Sequence, residues 1–338
     1  MRIALLADIH GNWPALQAVL QKLKTLDPQP DMVVVNGDLI NCVPFNQEVL
    51  NFVMDTDWVV VRGNHEFYYL NFGTERAEPG SDDPVRWGGL HWLVKQITPE
   101  QGAYMATLPD VRTFYIPGTS PICVTHGVPG RNRVGFNNRQ SDSEIASAIR
   151  SVSQPTLVSA HTHVQVDRYI SWEDPEEADS LAYANPQTYP PKRQQWHVIN
   201  PGSVGLPLNG DPAAQFAVID SVDESDRQNS VDGWRVTHYR VSYDITPCLE
   251  AYLTSGLLEA GSVIGQLFYW ELITAEPEIV FFYRWANGVP EARPEEDIAG
   301  AFAQYIAATG REAYVKSRDP LYALDPKRSG VSFQSSRL

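Results

Sequence analysis

Val59-Val60-Val61-Arg62-Gly63-Asn64-His65-Glu66 is the stretch on which the fold turns. Three consecutive valines predict a buried strand, and the run stops at a glycine followed at once by Asn64 and His65. A strand that ends by presenting polar side chains is a common way to build an active site, and Gly-Asn is equally a common backbone turn. What decides between the two is whether the same ending recurs elsewhere in the chain. Gly63 is expected where the backbone bends sharply, so that Asn64 and His65 serve different roles. Arg62 and Glu66 are a candidate pair bracing the loop.

Upstream, residues 1–7 read as a strand that ends at Asp8-Ile9-His10-Gly11-Asn12. A helix follows, with Asn12 as cap, Pro14 in the first turn, and Leu16, Val19, Leu20 and Leu23 at helical spacing. A second strand over 32–35 ends at Asn36-Gly37-Asp38, a helix covers 46–54, and the third strand is 58–61. Strand, helix, strand, helix, strand is the α/β pattern with a parallel sheet, whose ligand sites form at the carboxyl ends of the strands.

Downstream, 67–108 reads as mainly helical, with Thr98 capping a helix that has Pro99 first inside. Short β-rich runs then take over at 111–116, 122–125, 156–159 and 164–170, interrupted by a helix over 142–150. Two of these runs end at His126-Gly127 and at Ala160-His161-Thr162-His163. Residues 171–195 are polar and proline-rich and are expected to be an inserted surface loop. Strands are expected at 196–199, 215–220 and 234–241, the first ending at Asn200-Pro201-Gly202-Ser203-Val204-Gly205. Beyond Thr246, the pattern predicts a helix over 249–257, a strand over 278–285, a helix over 294–309 closed by Gly310, and an irregular end. The expected organisation is a main domain over 1–270 carrying the 171–195 insert, with a C-terminal extension over 271–338 packed on it.

Composition narrows the function. The chain has 338 residues, 43% of them hydrophobic, which suffices for a sizeable core. Its formal net charge of −15 argues against a nucleic-acid polymer as partner and against docking on anionic membranes. A small phosphorylated substrate remains compatible, because bound cations supply local positive charge. Cys42, Cys123 and Cys248 are odd in number and far apart, which fits a reducing cytoplasm rather than a disulfide framework or a thiolate zinc site. The first apolar run is too short for a signal peptide, and no apolar stretch is long enough to span a bilayer.

Of the eight histidines, His10, His65, His126, His161 and His163 follow apolar strand-like runs. His91, His197 and His238 lie inside predicted elements and read as structural. Asp8, Asp38 and Asn64 end three successive strands. Imidazole with carboxylate oxygen is the ligand mix for first-row divalent metals such as Mn, Fe, Co, Ni or Zn. Asp8-x-His10 and His161-x-His163 place paired side chains on one side of an extended segment. Seven candidate ligands (Asp8, His10, Asp38, Asn64, His126, His161 and His163) exceed one metal and suit two metals sharing a carboxylate. Two such metals clamp a phosphoryl group for in-line attack by an acidified bridging water. His65, next to a ligand without being one, fits the acid that protonates the departing oxygen.

Asp8-Ile9-His10, Gly37-Asp38, Gly63-Asn64-His65-Glu66, His126-Gly127 and Ala160-His161-Thr162-His163, in this order, resemble the signature of the calcineurin-like metallophosphoesterase superfamily. The added Asn200-Pro201-Gly202-Ser203-Val204-Gly205 resembles its smaller YfcE-like phosphodiesterase branch. The resemblance spans residues 1 to about 245. It implies a four-layer αββα sandwich of two mixed β-sheets with a dinuclear site at the sheet edges, manganese being the favoured metal. By position, one metal would take Asp8, His10, Asp38 and His163. The other would take Asp38, Asn64, His126 and His161, with Asp38 bridging, Asn64 also touching substrate and His65 as general acid.

Departures from the pattern are informative. Ala160 stands where a glycine is usual, Glu66 where Asp is commoner, and Leu208 where the branch has an arginine. Asn41-Cys42 replaces the second Asp and the Arg of serine/threonine protein phosphatases, which points away from that subfamily. The expected activity is hydrolysis of a phosphodiester or nucleotide-type ester. Alternatives are a silent scaffold with this fold, as in the retromer subunit, a nuclease, and a phosphomonoesterase or protein phosphatase. An oligomer is compatible with the sequence.

Overall fold

A computed structural model describes residues 1–173, 193–222, 230 and 232–332. Strand β1 (Arg2–Leu6) pairs in parallel with β2 (Met32–Val35), and β2 with β3 (Val59–Val60). The antiparallel β9 (Ala214–Ser221) and β10 (Trp234–Val241) complete a five-stranded sheet of order β10-β9-β1-β2-β3. The second five-stranded sheet comprises β4 (Val111–Phe114), β5 (Ile122–Thr125), β6 (Thr156–Val158), β7 (Val166–Glu173) and β8 (Arg193–Asn200), in the order β4-β5-β6-β8-β7. Within it β5, β6 and β8 run parallel, while β4 and β7 are antiparallel edges.

Alternation along the strands sorts the layers. Ile3 and Leu5 of β1 face Val124, Val158 and Ile199 of the other sheet. Ala4 and Leu6 pack outward against α1 (Trp13–Lys24), α2 (Asn46–Met54), α4 (Gly88–Gln96) and α5 (Pro99–Thr107). On the far side, Ile145 and Ile149 of α6 (Asp142–Ile149) cover Leu157 and Val198. Helix, sheet, sheet and helix give the expected αββα sandwich. The predicted caps hold: Asn12 Oδ1 accepts the Ala15 N–H, and Thr98 forms a capping box with Gln101 at the start of α5.

The C-terminal third departs from expectation. The helix predicted over 249–257 is α7 (Thr246–Thr254), and a longer α8 (Leu257–Thr274) follows it. Residues 278–285 are not a strand but the start of α9 (Glu278–Asn287). Their aromatic and β-branched content favours a strand, yet the buried Phe282 and Ala286 fall four apart and dock on neighbouring helices, so packing overrides propensity. The next helix, α10 (Ile298–Thr309), starts four residues later than predicted, capped by Asp297 and closed by Gly310 at φ +64°. The expected irregular end contains the short helices α11 (Arg311–Lys316) and α12 (Pro320–Leu324).

One apolar cluster joins Cys42, Val43 and Leu206 to α7, α8, α9 and α10, and the boundary expected at 270/271 falls inside α8. Of the loop expected over 171–195, residues at both ends belong to β7 and β8, and 174–192 lie outside the described residues.

Candidate active site

The parallel strands of both sheets point their carboxyl ends at one edge. The loops after β1, β2, β3, β5 and β6 meet there and carry all eight residues singled out from the sequence. Asp8, His10, Asp38, His161 and His163 adopt φ of +52°, +53°, +54°, +69° and +57°. Their pairing is therefore not that of an extended segment, as the x-spacing suggested. Each loop coils through the left-handed region, where a non-glycine residue costs of order 1 kcal/mol and more. Neighbouring strand ends hold these turns: Asp8 N–H donates to Gly37 O at 3.1 Å, His10 N–H to Asp38 O at 2.9 Å and Gly11 N–H to Leu39 O at 2.8 Å.

The hydrogen-bond network orients the rings. His163 Nδ1–H donates to Leu206 O at 2.5 Å and His126 Nδ1–H to Asn36 O at 2.7 Å, which turns each Nε2 toward the cluster. There His163 Nε2 lies 3.1 Å from His10 Nε2. His126 Nε2 lies 2.9 Å from Asn64 Oδ1 and 3.1 Å from Asp38 Oδ2. Donor atoms of Asp8, His10 and His163 fall within 4.8 Å of one another, as do those of Asp38, His126 and His161.

A divalent cation fits this donor set. Both oxygens of Asp8, Oδ2 of Asp38 and Nδ1 of His10 are buried without a hydrogen-bond partner among the described residues, a costly arrangement unless a cation compensates. Burial pushes Asp8 well above the usual carboxylate range. It pushes His161 down to about 4 and His163 down to about 3, so both rings are neutral and available as ligands. Asp38 is held well below its usual range despite burial, because the charged His126 ring faces it, itself lifted to about 9 by Asp38 against its own burial.

His65 opens helix α3 (Asn64–Asn71). Asn41 Oδ1 accepts the Cys42 N–H at 2.8 Å, so its NH₂ must face His65 Nδ1, at 2.7 Å. An amide NH₂ only donates; Nδ1 is therefore the acceptor and the proton of neutral His65 sits on Nε2, which points toward Asp38 Oδ2 at 4.0 Å.

Gly63 proves necessary for a different reason from the one expected. Its φ of −101° is ordinary. A Cβ there would meet Asp38 Oδ1 at 2.1 Å, so only a bare backbone lets the loop approach that carboxylate. Nor do Arg62 and Glu66 pair. Glu66 accepts the N–H groups of Gly63, Asp38 and Leu39 at 2.7, 2.9 and 2.8 Å, tying two loops together, while Arg62 pairs with Asp110 at 2.6 Å.

Sequence reasoning missed two supporting residues. Asn36 donates from Nδ2 to Thr125 O and Val158 O, both at 3.2 Å, stitching the two sheets beside His126. Asn41 was read only as a departure. Polarity at a strand end was the signal available for Asn36. Elsewhere, His91 bonds Ser81 O, His238 bonds Asn200 O and His197 lies between Asp167 and Asp232, all apart from the cluster. Arg133 pairs with Glu78 at 2.8 Å and stacks on Tyr68, and Arg131 bonds Ala148 O.

Comparison with known proteins places the chain in a class. The profile of the calcineurin-like phosphoesterases matches residues 1–187, and the chain belongs to that family. It is a hydrolase acting on phosphoric ester bonds. An uncharacterised protein of Methanocaldococcus jannaschii is 24% identical over 259 residues, covering 76% of this chain and 94% of that protein. A symmetrical bis(5'-nucleosyl)-tetraphosphatase of Yersinia pestis is 32% identical over 106 residues, which is 28% of this chain and only 36% of that enzyme. The crystal structure of a metallophosphoesterase from Sphaerobacter thermophilus superposes with a TM-score of 0.55 at 25% identity, covering 81% of this chain and 99% of that one.

Proposed function

We propose that the chain hydrolyses a phosphodiester or nucleotide-type phosphate ester by in-line displacement, with two divalent cations, manganese favoured, and His65 as general acid. Asp8, His10, Asp38 and His163 would hold one cation and Asp38, Asn64, His126 and His161 the other. Cations bound there neutralise charge on the phosphoryl oxygens and acidify the attacking water. The chain's own contribution is positional. Strand-end loops fix the neutral rings of His161 and His163, and Asn64 is the contact for a phosphoryl oxygen. His65 presents Nε2–H on the side of the Asp38 carboxylate, from where the ring, once protonated at both nitrogens, would pass that proton to the leaving oxygen and return to neutral imidazole.

The observation that carries this reading is the set of buried Asp8 and Asp38 oxygens left without hydrogen-bond partners among the described residues, in the midst of His10, His126, His161 and His163 at the strand ends. A small substrate fits the −15 charge, and the three buried free cysteines fit a cytoplasmic location. No described helix is long and apolar enough to cross a membrane. The test is turnover of bis(4-nitrophenyl) phosphate by purified protein supplied in turn with Mn, Fe, Co, Ni and Zn. Hydrolysis with at least one metal is expected, and none with any of them overturns the proposal.

A further inference from the structure

Beside His65 the structure holds a cavity of about 350 Å³, within the size range of small-molecule sites. Two glycines open it. Helix α4 comes so close to α8 that a Cβ on Gly88 would meet Ala260 O at 1.7 Å. One residue on, a Cβ on Gly89 would meet only Leu257 Cδ1, at 3.9 Å, and one on Gly265 meets nothing nearer than 3.5 Å. The helices thus touch at Gly88 and part at Gly89 and Gly265. Between Ala260 and Gly265 α8 is broken at Ser262 (φ +50°, ψ −135°), whose hydroxyl is buried without a partner among the described residues. Such strain persists where surrounding packing imposes it, and it clusters at ligand sites.

The walls are aromatic. His65, Tyr68 and Trp87 form a chain of edge-on rings with centroids 5.2 and 5.5 Å apart, and Phe268 and Tyr283 also line the cavity. Asn41 and His65 are among its lining residues, so the cavity borders the proposed acid. A larger cavity of about 930 Å³ near Pro247 and Lys327 touches none of the cluster residues.

We propose that this cavity is the leaving-group pocket and that it takes a leaving group bearing a planar aromatic ring, with residues beyond 250 supplying six of its sixteen lining residues. The inference rests on the phosphoesterase reading for the role, and on the cavity alone for the ligand class. A ring seated there trades water for the faces and edges of four aromatic side chains, while its ester oxygen stays at His65. Arg86, which also lines the cavity and has no ion-pair partner among the described residues, is available to stack on the same ring.

Phenylphosphonate and methylphosphonate, which cannot be hydrolysed, test the pocket by calorimetric binding to the Mn²⁺-loaded protein. Phenylphosphonate is expected to bind at least about tenfold tighter, the worth of one well-packed ring. In Gly89→Phe and Gly265→Phe, each filling the cavity from a different helix, that ratio falls to about one while methylphosphonate affinity is kept. Equal binding of the two phosphonates by the wild-type protein overturns the pocket, whatever the variants do. So does an aryl preference that survives in both folded variants. Turnover of bis(4-nitrophenyl) phosphate is measured alongside: aryl preference without turnover sinks the phosphoesterase reading and sustains the pocket, and turnover without aryl preference does the reverse.

Discussion

Asp38 stands at the centre of the cluster. Its Oδ1 accepts the His65 N–H at 2.8 Å, and its Oδ2 lies 3.1 Å from His126 Nε2 and 3.8 Å from His10 Nε2. Asp38→Asn keeps the shape and removes the charge on which both proposed metals depend. Elemental analysis after loading is expected to show metal affinity reduced at least about tenfold. His65→Ala is expected to retain metal and lose about 10²- to 10⁴-fold in kcat, the range for a general acid. Equal metal loss in both variants would remove the distinction between ligand and acid. Asn41→Ala removes the donor that holds His65 Nδ1 unprotonated; the basic limb of the kcat–pH profile should move to higher pH with metal content unchanged, and an unmoved limb would show that the ring's protonation is set elsewhere. The ligand candidates were legible from sequence because their chemistry lies in residue type and order. Asn36 and Asn41 were not, because their roles rest on partners such as Val158 O, 122 residues away, or His65 Nδ1, which only the folded chain brings near.

At the scale of elements, the first three strands and two helices were readable because alternation and caps agreed with packing. Helix α8 was hidden by its composition. Gly261 and Gly265 lower its propensity, the break at Ser262 interrupts its phase, and it is buried on most of its circumference, so no amphipathic stripe marks it. Those glycines matter through contact. Gly88→Ala drives a methyl into Ala260 O and should destabilise the protein by roughly 1–3 kcal/mol, measured by urea unfolding. Gly89→Ala, one position along the same helix, meets only Leu257 Cδ1 at ordinary contact distance and should cost nothing or add a few tenths of a kcal/mol. Equal effects at the two positions would contradict the close α4–α8 approach.

The whole molecule depends on how its two sheets are joined, and one junction titrates. His197 on β8 donates from both nitrogens, to Asp232 Oδ2 before β10 and to Asp167 Oδ1 on β7, each at 2.7 Å. Thr156 Oγ1 adds a bond to Asp232 at 2.6 Å, so a strand end of the first sheet is tied to three strands of the second. Burial alone would lower the His197 pKa, but the two carboxylates outweigh it and lift the ring to about 9. Tyr169, stacked on His197, is pushed up to about 12 and stays neutral across this range. A folded pKa above the unfolded value of about 6.5 means the ion pairs contribute fully below pH 6.5. Their contribution is lost progressively as pH rises through about 9. The shift sets a ceiling of about 3 kcal/mol, and with Asp167 42% exposed to screening water a loss of about 1–2 kcal/mol is the expected size. Asp167→Asn removes one of the two lifting charges while leaving Asp232 in place. Between pH 7 and 9.5 the wild-type protein should therefore lose more stability than Asp167→Asn, read as the difference in urea midpoints. Parallel pH curves for the two proteins would mean that His197 is neutral in the folded state and that the sheets are joined there by hydrogen bonds without charge.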